Sequence, residues 1–357
     1  MSRTTIRTIT VEPLNIPLLE PFSISTGTTS DARNVLITIV LEDGSTGYGE
    51  CSPFTPSTGE TQETALAAAQ GCAELIKGRD AAHWRSLSRL IRSVYFSQGT
   101  AIAGMEMALL DALTRSYGIP LYVFFGGAGT SVETDMSIPI VSPERGYDLA
   151  KETVTRGIRS IKIKVGGDLR EDVARVEAVR EGAPNVGLML DANQGYTANE
   201  ALICLEALDN RDIRPMLMEQ PVHKDDHEGL RYVTQHTTVP IAADESAYSA
   251  ANVAHLIEMG AVNVVNIKLM KSGFVEALDI AAVCRARHTQ LMIGAMMESR
   301  LAIAAAAHFV AGLGGFRFID LDTPMLLAED PFTGGYEQSG GVYDLSSVTS
   351  GLGIERK

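Results

Sequence analysis

Lysines and acids at regular intervals define the chemistry open to this chain. Ser160-Ile161-Lys162-Ile163-Lys164 alternates polar and apolar residues. Alternation with period two predicts a short strand with Lys162 and Lys164 on one side. Inside a folded chain, two ammonium groups there need carboxylates or a ligand to offset burial. A solvated edge strand is the plain alternative, because lysines blunt sheet edges. Further on, Asp191 closes Leu188-Met189-Leu190, Glu219 closes Met216-Leu217-Met218, and Asp244 closes Ile241-Ala242-Ala243. One such acid reads as a helix cap, since loops after strands often end in Asp. Three at consecutive strand ends repel one another and force protonation unless a cation joins them. Oxygen-only ligands select a hard cation, so Mg²⁺ is expected, with Mn²⁺ as a substitute.

Lys268 ends Val264-Val265-Asn266-Ile267-Lys268 in the same way. Two lysines facing each other across a bound substrate suit proton removal on one face and delivery on the other. Lys162, beside Lys164, would lower the pKa of Lys164 by like-charge repulsion. A metal would stabilise the enediolate formed when a proton α to a carboxylate is lost. A salt bridge from Lys268 to Asp244 or Glu245 is the structural alternative.

These residues need a frame. Residues 1–125 read as an α+β unit. It holds a strand near Ile6 to Leu14, a Ser/Thr/Gly-rich loop from Glu20 to Asn34, and an apolar strand from Val35 to Leu41. Asp43-Gly44 marks a hairpin turn, and a second loop runs from Cys51 to Thr61 with Pro53 and Pro56. Helical spacing covers Thr64 to Ile76 and Ala101 to Tyr117, the latter stopped by Gly118 and Pro120. From Thr134, eight short apolar runs end at 137, 164, 191, 219, 244, 268, 294 and 320. Amphipathic stretches such as Leu169 to Arg180, Asn199 to Leu208 and Phe274 to Arg287 separate them. Eight β-units at near-constant spacing predict a closed (β/α) barrel, with chemistry where the strands end. Lys164 on strand 2 and Lys268 on strand 6 would then face each other across the mouth. A dinucleotide-binding open sheet would carry GxGxxG after its first strand, and none is present. Gly126-Gly127-Ala128-Gly129 lacks the Lys-Ser/Thr of a phosphate loop and reads as a connection.

Composition narrows the function class. The 357 residues are 45% hydrophobic and 21% charged, with a net charge of -14. That composition is ordinary for a soluble globular protein, and the charge argues against nucleic acid. No stretch reads as a signal peptide or membrane span. Cys51, Cys72, Cys204 and Cys284 show no CxxC spacing, which suits a reducing cytoplasm. None of the seven histidines forms a metal motif, and His308 in its Ala-rich stretch reads as a packing residue.

Lys162 and Lys164, the Asp191/Glu219/Asp244 triplet and Asn266-Ile267-Lys268 together resemble the enolase superfamily, muconate-lactonizing subgroup. The resemblance covers nearly the whole chain. It implies a modified (β/α)₇β TIM-type barrel over residues 126–324 and a capping domain at 1–125, completed by residues 325–357. It implies one Mg²⁺ per subunit. Asp320-Leu321-Asp322 is similar to the DxD motif of dipeptide epimerases, which holds the α-ammonium of the dipeptide. Met218-Glu219-Gln220-Pro221-Val222-His223-Lys224-Asp225-Asp226 resembles the L-Ala-D/L-Glu epimerases. Those similar epimerases carry an arginine in the first capping loop, where this chain has Gly27 and its nearest cation is Arg33. At strand 7, Met297 stands where a cation-selective relative places an acid. Both departures point to a neutral or hydrophobic second residue, because a buried substrate carboxylate would lack a partner. The implied partner is a small dipeptide, neither nucleic acid nor membrane, and the class is compatible with a homo-oligomer. Capping loops are expected to close over the substrate. Other reactions of the superfamily are N-acylamino acid racemization, o-succinylbenzoate synthesis and cycloisomerization, whose substrates offer no ammonium to Asp320 and Asp322. A non-catalytic binding barrel would use the lysines only as counter-ions.

Overall fold

The computed structural model describes residues 2–357. Its N-terminal unit begins with a long antiparallel hairpin, Ile6–Ile24 paired with Gly27–Leu41, and a third strand, Thr46–Cys51, pairs with the second. The expected loop from Glu20 to Asn34 is therefore strand: Phe22 pairs with Thr29, Ser23 with Thr28 and Ile24 with Gly27. Thr28 and Thr29 are β-branched and favour strand despite their polarity. The register breaks between Pro17 and Phe22, next to Pro21, which has no N–H to offer the ladder. The expected loop from Cys51 to Thr61 contains a one-turn helix, Thr55–Thr58, with Pro56 in its first turn.

Helices Gln62–Ile76, Trp84–Val94 and Gly99–Tyr117 cover this sheet. Thr61 caps the first through a reciprocal capping box, and Gly118 ends the third in the left-handed region. Val35, Ile37, Ile39 and Leu41 alternate toward the helices and meet Ala65, Ala69, Cys72, Ile102, Met105 and Leu109 in one core.

Eight parallel strands follow: Met136–Ile138, Ser160–Lys164, Gly187–Asp191, Leu217–Glu219, Ile241–Ala243, Val264–Lys268, Gln290–Gly294 and Phe316–Ile319. They pair in sequence order. Between the first strand and the last, one backbone bond, Asp135 N–H to the Ile319 carbonyl at 3.0 Å, replaces a paired ladder. The eight parallel strands of the expected TIM-type barrel are thus present, with this seam their most sparsely bonded junction. Seven helices separate the eight strands, from Pro143–Thr155 to Arg300–Leu313. The sixth spans Leu269–Ala286, five residues earlier than expected, because a turn at Leu269–Ser272 precedes a break at Gly273 (φ 67°). Glu106 of the N-terminal unit accepts the Phe274 and Val275 N–H groups after that break. It thereby caps a barrel helix from outside the barrel.

The C-terminal segment touches both units. Leu327 bridges to Leu18 and Gly351 to Pro120, while Val342–Asp344 pairs with Ser131–Glu133. No helix among the described residues is long and apolar enough to cross a membrane.

Candidate functional site

The strand ends bring the expected residues to one mouth. Register pairs Lys164 with Asp191 and Asp191 with Glu219 across strands 2, 3 and 4. Asp244 follows strand 5 directly, and Lys268 ends strand 6 opposite Gly294 of strand 7. All five are almost wholly buried. Lys162 Nζ lies 3.0 Å from Asp191, 2.7 Å from Glu219 and 2.6 Å from Asp320. Lys164 Nζ donates to Asp191 at 2.6 Å. Lys268 Nζ is 2.8 Å from Asp244, so the ion pair weighed as a structural alternative is present.

The electrostatics arise from this crowding. Burial opposes the charge on Asp191, but the Lys162 and Lys164 ammonium groups outweigh it and hold its pKa well below the usual range. Asp244 is held low in the same way by Lys268 and Lys271. Glu219 goes the other way, to about 8, through burial and the neighbouring Asp191 charge. Despite their burial, Asp244 raises the pKa of Lys268, and Asp191, Asp320 and Glu219 raise that of Lys162.

The donor set fits a hard divalent cation. Glu219 Oε2, Asp244 Oδ2, Glu245 Oε2 and Asn193 Oδ1 are buried with no hydrogen-bond partner. Lys162 and Lys268 approach the first two within ion-pair distance, yet not along hydrogen-bonding directions. Buried orphan oxygens of this kind call for a ligand. Asp191, Glu219 and Asp244 would hold Mg²⁺ once their carboxylates turn toward one point, whereas among the described residues the acids whose oxygens already lie within 4.8 Å of one another are Asp135, Asp320 and Asp322. The backbone around them is strained: Asn193, Gln194 and Gln220 all have positive φ.

A cavity opens beside these groups. Its polar lining includes Lys164, Lys268, Asp320, Asp322, Ser137 and Asn193. Phe22, Ile24, Phe54, Met296, Met297 and Leu326 supply the apolar wall, and Gly27 lies at its edge. Gly27 and Met297 therefore share one cavity with the lysines. Among the described residues, Lys164 and Lys268 are its only basic lining residues. Arg33 points elsewhere, to Glu63 at 3.0 Å on an exposed surface. The loop carrying Met297 is fixed by the N-terminal unit, because Asn34 and Ser52 both donate to the Met297 carbonyl at 2.9 Å.

Asp320 and Asp322 are buried, and neither caps a helix through its side chain. Lys162 lowers the pKa of Asp320 against the effect of burial, whereas burial and the Asp320 charge raise Asp322 to about 6.

Sequence reasoning assigned no role to several participants. Gln220 accepts from the Asp244 and Ser246 N–H groups and fixes strand end 4 to strand end 5. Asn266 donates to Glu219 at 2.7 Å. Lys271 donates to Asp244 at 2.6 Å, and its three-residue spacing from Lys268 was the available signal. Asp135 is fully buried next to Asp320 and Asp322, with oxygens of all three within 4.8 Å of one another. Nothing in its local sequence marks it.

Comparison with known proteins agrees with this layout. Residues 5–126 match the N-terminal domain of the mandelate racemase / muconate lactonizing enzyme family, and residues 147–357 match the enolase C-terminal domain-like family. An aromatic dipeptide epimerase of Herpetosiphon aurantiacus is 43% identical over 98% of this chain and 99% of its own. An L-Ala-D/L-Glu epimerase of Thermotoga maritima is 39% identical over 90% of this chain and 93% of its own. The crystal structure of a dipeptide epimerase from Enterococcus faecalis V583, in complex with Mg and L-Leu-L-Tyr, superposes with a TM-score of 0.95. It is 35% identical and covers 99% of this chain and 100% of its own.

Proposed function

Since the chain belongs to the mandelate racemase / muconate lactonizing enzyme family of the enolase superfamily, we propose that it is a Mg²⁺-dependent dipeptide epimerase. It inverts the α-carbon of the C-terminal residue of L-Ala-L-Xaa type dipeptides, with a hydrophobic Xaa. One arrangement carries this reading: Lys164 and Lys268 line a single cavity together with the Asp320/Asp322 pair.

Asp320 and Asp322 bind the α-ammonium of the dipeptide and so orient the chain. The C-terminal α-carbon then lies between the two lysines. One lysine, as a neutral amine, takes the α-proton, and the other, as an ammonium, returns a proton to the opposite face. Asp191, Glu219 and Asp244 would hold one Mg²⁺ (or Mn²⁺ in its place), which would offset the carboxylate charge around the lysines and stabilise negative charge developing on the substrate carboxylate. Lys162 keeps a positive charge between the two groups of acids. Phe22, Ile24, Phe54 and Met297 receive the Xaa side chain. A glutamate there would be desolvated without a cation, a cost of several kcal/mol.

The test is incubation with Mg²⁺ and a panel of L-Ala-L-Xaa dipeptides in D₂O, read by mass. One deuterium is expected on apolar members, with little on L-Ala-L-Glu. Lys164→Ala and Lys268→Ala should bind dipeptide without producing the epimer. Preferential exchange on L-Ala-L-Glu would refute the hydrophobic preference. No exchange on any member, with metal bound, would refute the epimerase reading.

A further inference from the structure

Asp135 is 0% exposed, and neither of its carboxylate oxygens has a hydrogen-bond partner. An ionised carboxylate is disfavoured in that state, because it would lose its hydration with no hydrogen bond in return, and attraction to the Lys162 ammonium opposes this only in part. Its surroundings make ionisation harder still. Asp320 and Asp322 place carboxylate oxygens within 4.8 Å of it, and burial plus their charge drives its pKa well upward. As a neutral acid, Asp135 has one O–H to donate. An Asp320 carboxylate oxygen lies within 4.8 Å of an Asp135 oxygen, near enough for a small side-chain rotation to bring that O–H to it.

The backbone makes this juxtaposition rigid. Asp135 N–H donates to the Ile319 carbonyl at 3.0 Å. Leu321 N–H donates to Thr134 Oγ1 at 2.7 Å, and Ser137 N–H donates to Asp322 Oδ2 at 2.6 Å. The segment entering strand 1 is thus stitched to the segment leaving strand 8, across the sparsely bonded seam of the barrel. Lys162 donates to Asp320 Oδ2 at 2.6 Å.

We infer that Asp135 is a positioning residue for the ammonium pocket: it remains a neutral acid, donates its O–H to Asp320, and thereby holds the Asp320 and Asp322 carboxylates toward the α-ammonium of the dipeptide. Asp135 itself does not line the cavity, so it acts through its neighbours. The inference rests on the assignment of the α-ammonium to Asp320 and Asp322 above.

The test uses Asp135→Ala and Asp135→Asn, with a free dipeptide and its N-acetylated form as substrates. Asp135→Leu, similar in branching though larger and without a donor, serves if the alanine variant does not fold. The donorless variant should raise KM for the free dipeptide at least tenfold, change kcat less than threefold, and leave KM for the N-acetyl form unaltered. Asp135→Asn retains a donor in the same place, so its KM should rise no more than about threefold. A purely structural role would raise both KM values together. An asparagine variant as impaired as the donorless one would overturn the neutral-donor assignment, and an unchanged KM in the donorless variant would overturn any positioning role. A native enzyme that does not distinguish free from N-acetylated dipeptide would instead refute the ammonium assignment, and the inference with it.

Discussion

Replacing Gly294 with alanine should misplace Lys268 without removing it. Gly294 pairs with Lys268 across strands 6 and 7. A Cβ added there would lie 2.8 Å from the Asn266 side-chain amide and 3.0 Å from Lys268 Cε, whereas ordinary contact begins at 3.4 Å. Neither neighbour can yield freely, because Asn266 donates to Glu219 at 2.7 Å and Lys268 is paired with Asp244 at 2.8 Å. The lysine must therefore move by about 0.4 Å and the amide by about 0.6 Å. A misplacement of about 1 Å costs about 10²-fold in rate, so half that distance should cost about tenfold. Overpacking should also cost about 1–3 kcal/mol of stability. The assay is the initial rate of α-proton loss in D₂O from each epimer separately, at saturating dipeptide and Mg²⁺. The epimer whose proton faces Lys268 should slow about tenfold, and the one facing Lys164 should slow much less. Equal slowing of both epimers, or none in a folded variant, would refute the reasoning.

Acid stability should carry a His308 signature. The ring is buried and accepts the Tyr122 N–H at Nδ1, and burial lowers its pKa from 6.5 to about 4. The unfolded chain thus takes up this proton first as pH falls. Stability from this residue is complete above about pH 6.5 and is lost toward pH 4, by about 3 kcal/mol in all. Denaturant melts of the native chain and of His308→Gln across that window should diverge in slope. Metal removal should abolish α-proton exchange and lower the melting temperature, because Mg²⁺ at 100 times its Kd stabilises a folded protein by about 2.7 kcal/mol. Calorimetry with EDTA and then with excess Mg²⁺ checks both the loss and its reversal.

The barrel strands were legible because each is a short apolar run with a polar residue at its end. Those runs repeat at a period that only strand–helix units produce. Lys164, Asp191, Glu219 and Lys268 stand at the ends of their strands, and a strand end is a local property of the chain. The hairpin from Phe22 to Thr29 was not legible, since its Ser, Thr and Gly content matches a loop and only pairing makes it a strand. The break at Gly273 was hidden for a similar reason: Leu269 to Ser272 is helical in composition, and Glu106, far away in sequence, caps the helical turns beyond the break.

Which side chains end the barrel strands, and in what order, can be read along the chain, because alternation and spacing are local. Where charge is neutralised emerges only from the packed molecule. Lys162 reaches acids on three different strand ends, Lys271 secures Asp244, and Asp135 meets Asp320 across the seam between first and last strands. A carboxylate's protonation depends on which charges lie within a few ångströms and on how much water remains. Those distances exist only once residues 185 positions apart, Asp135 and Asp320, have been folded against each other.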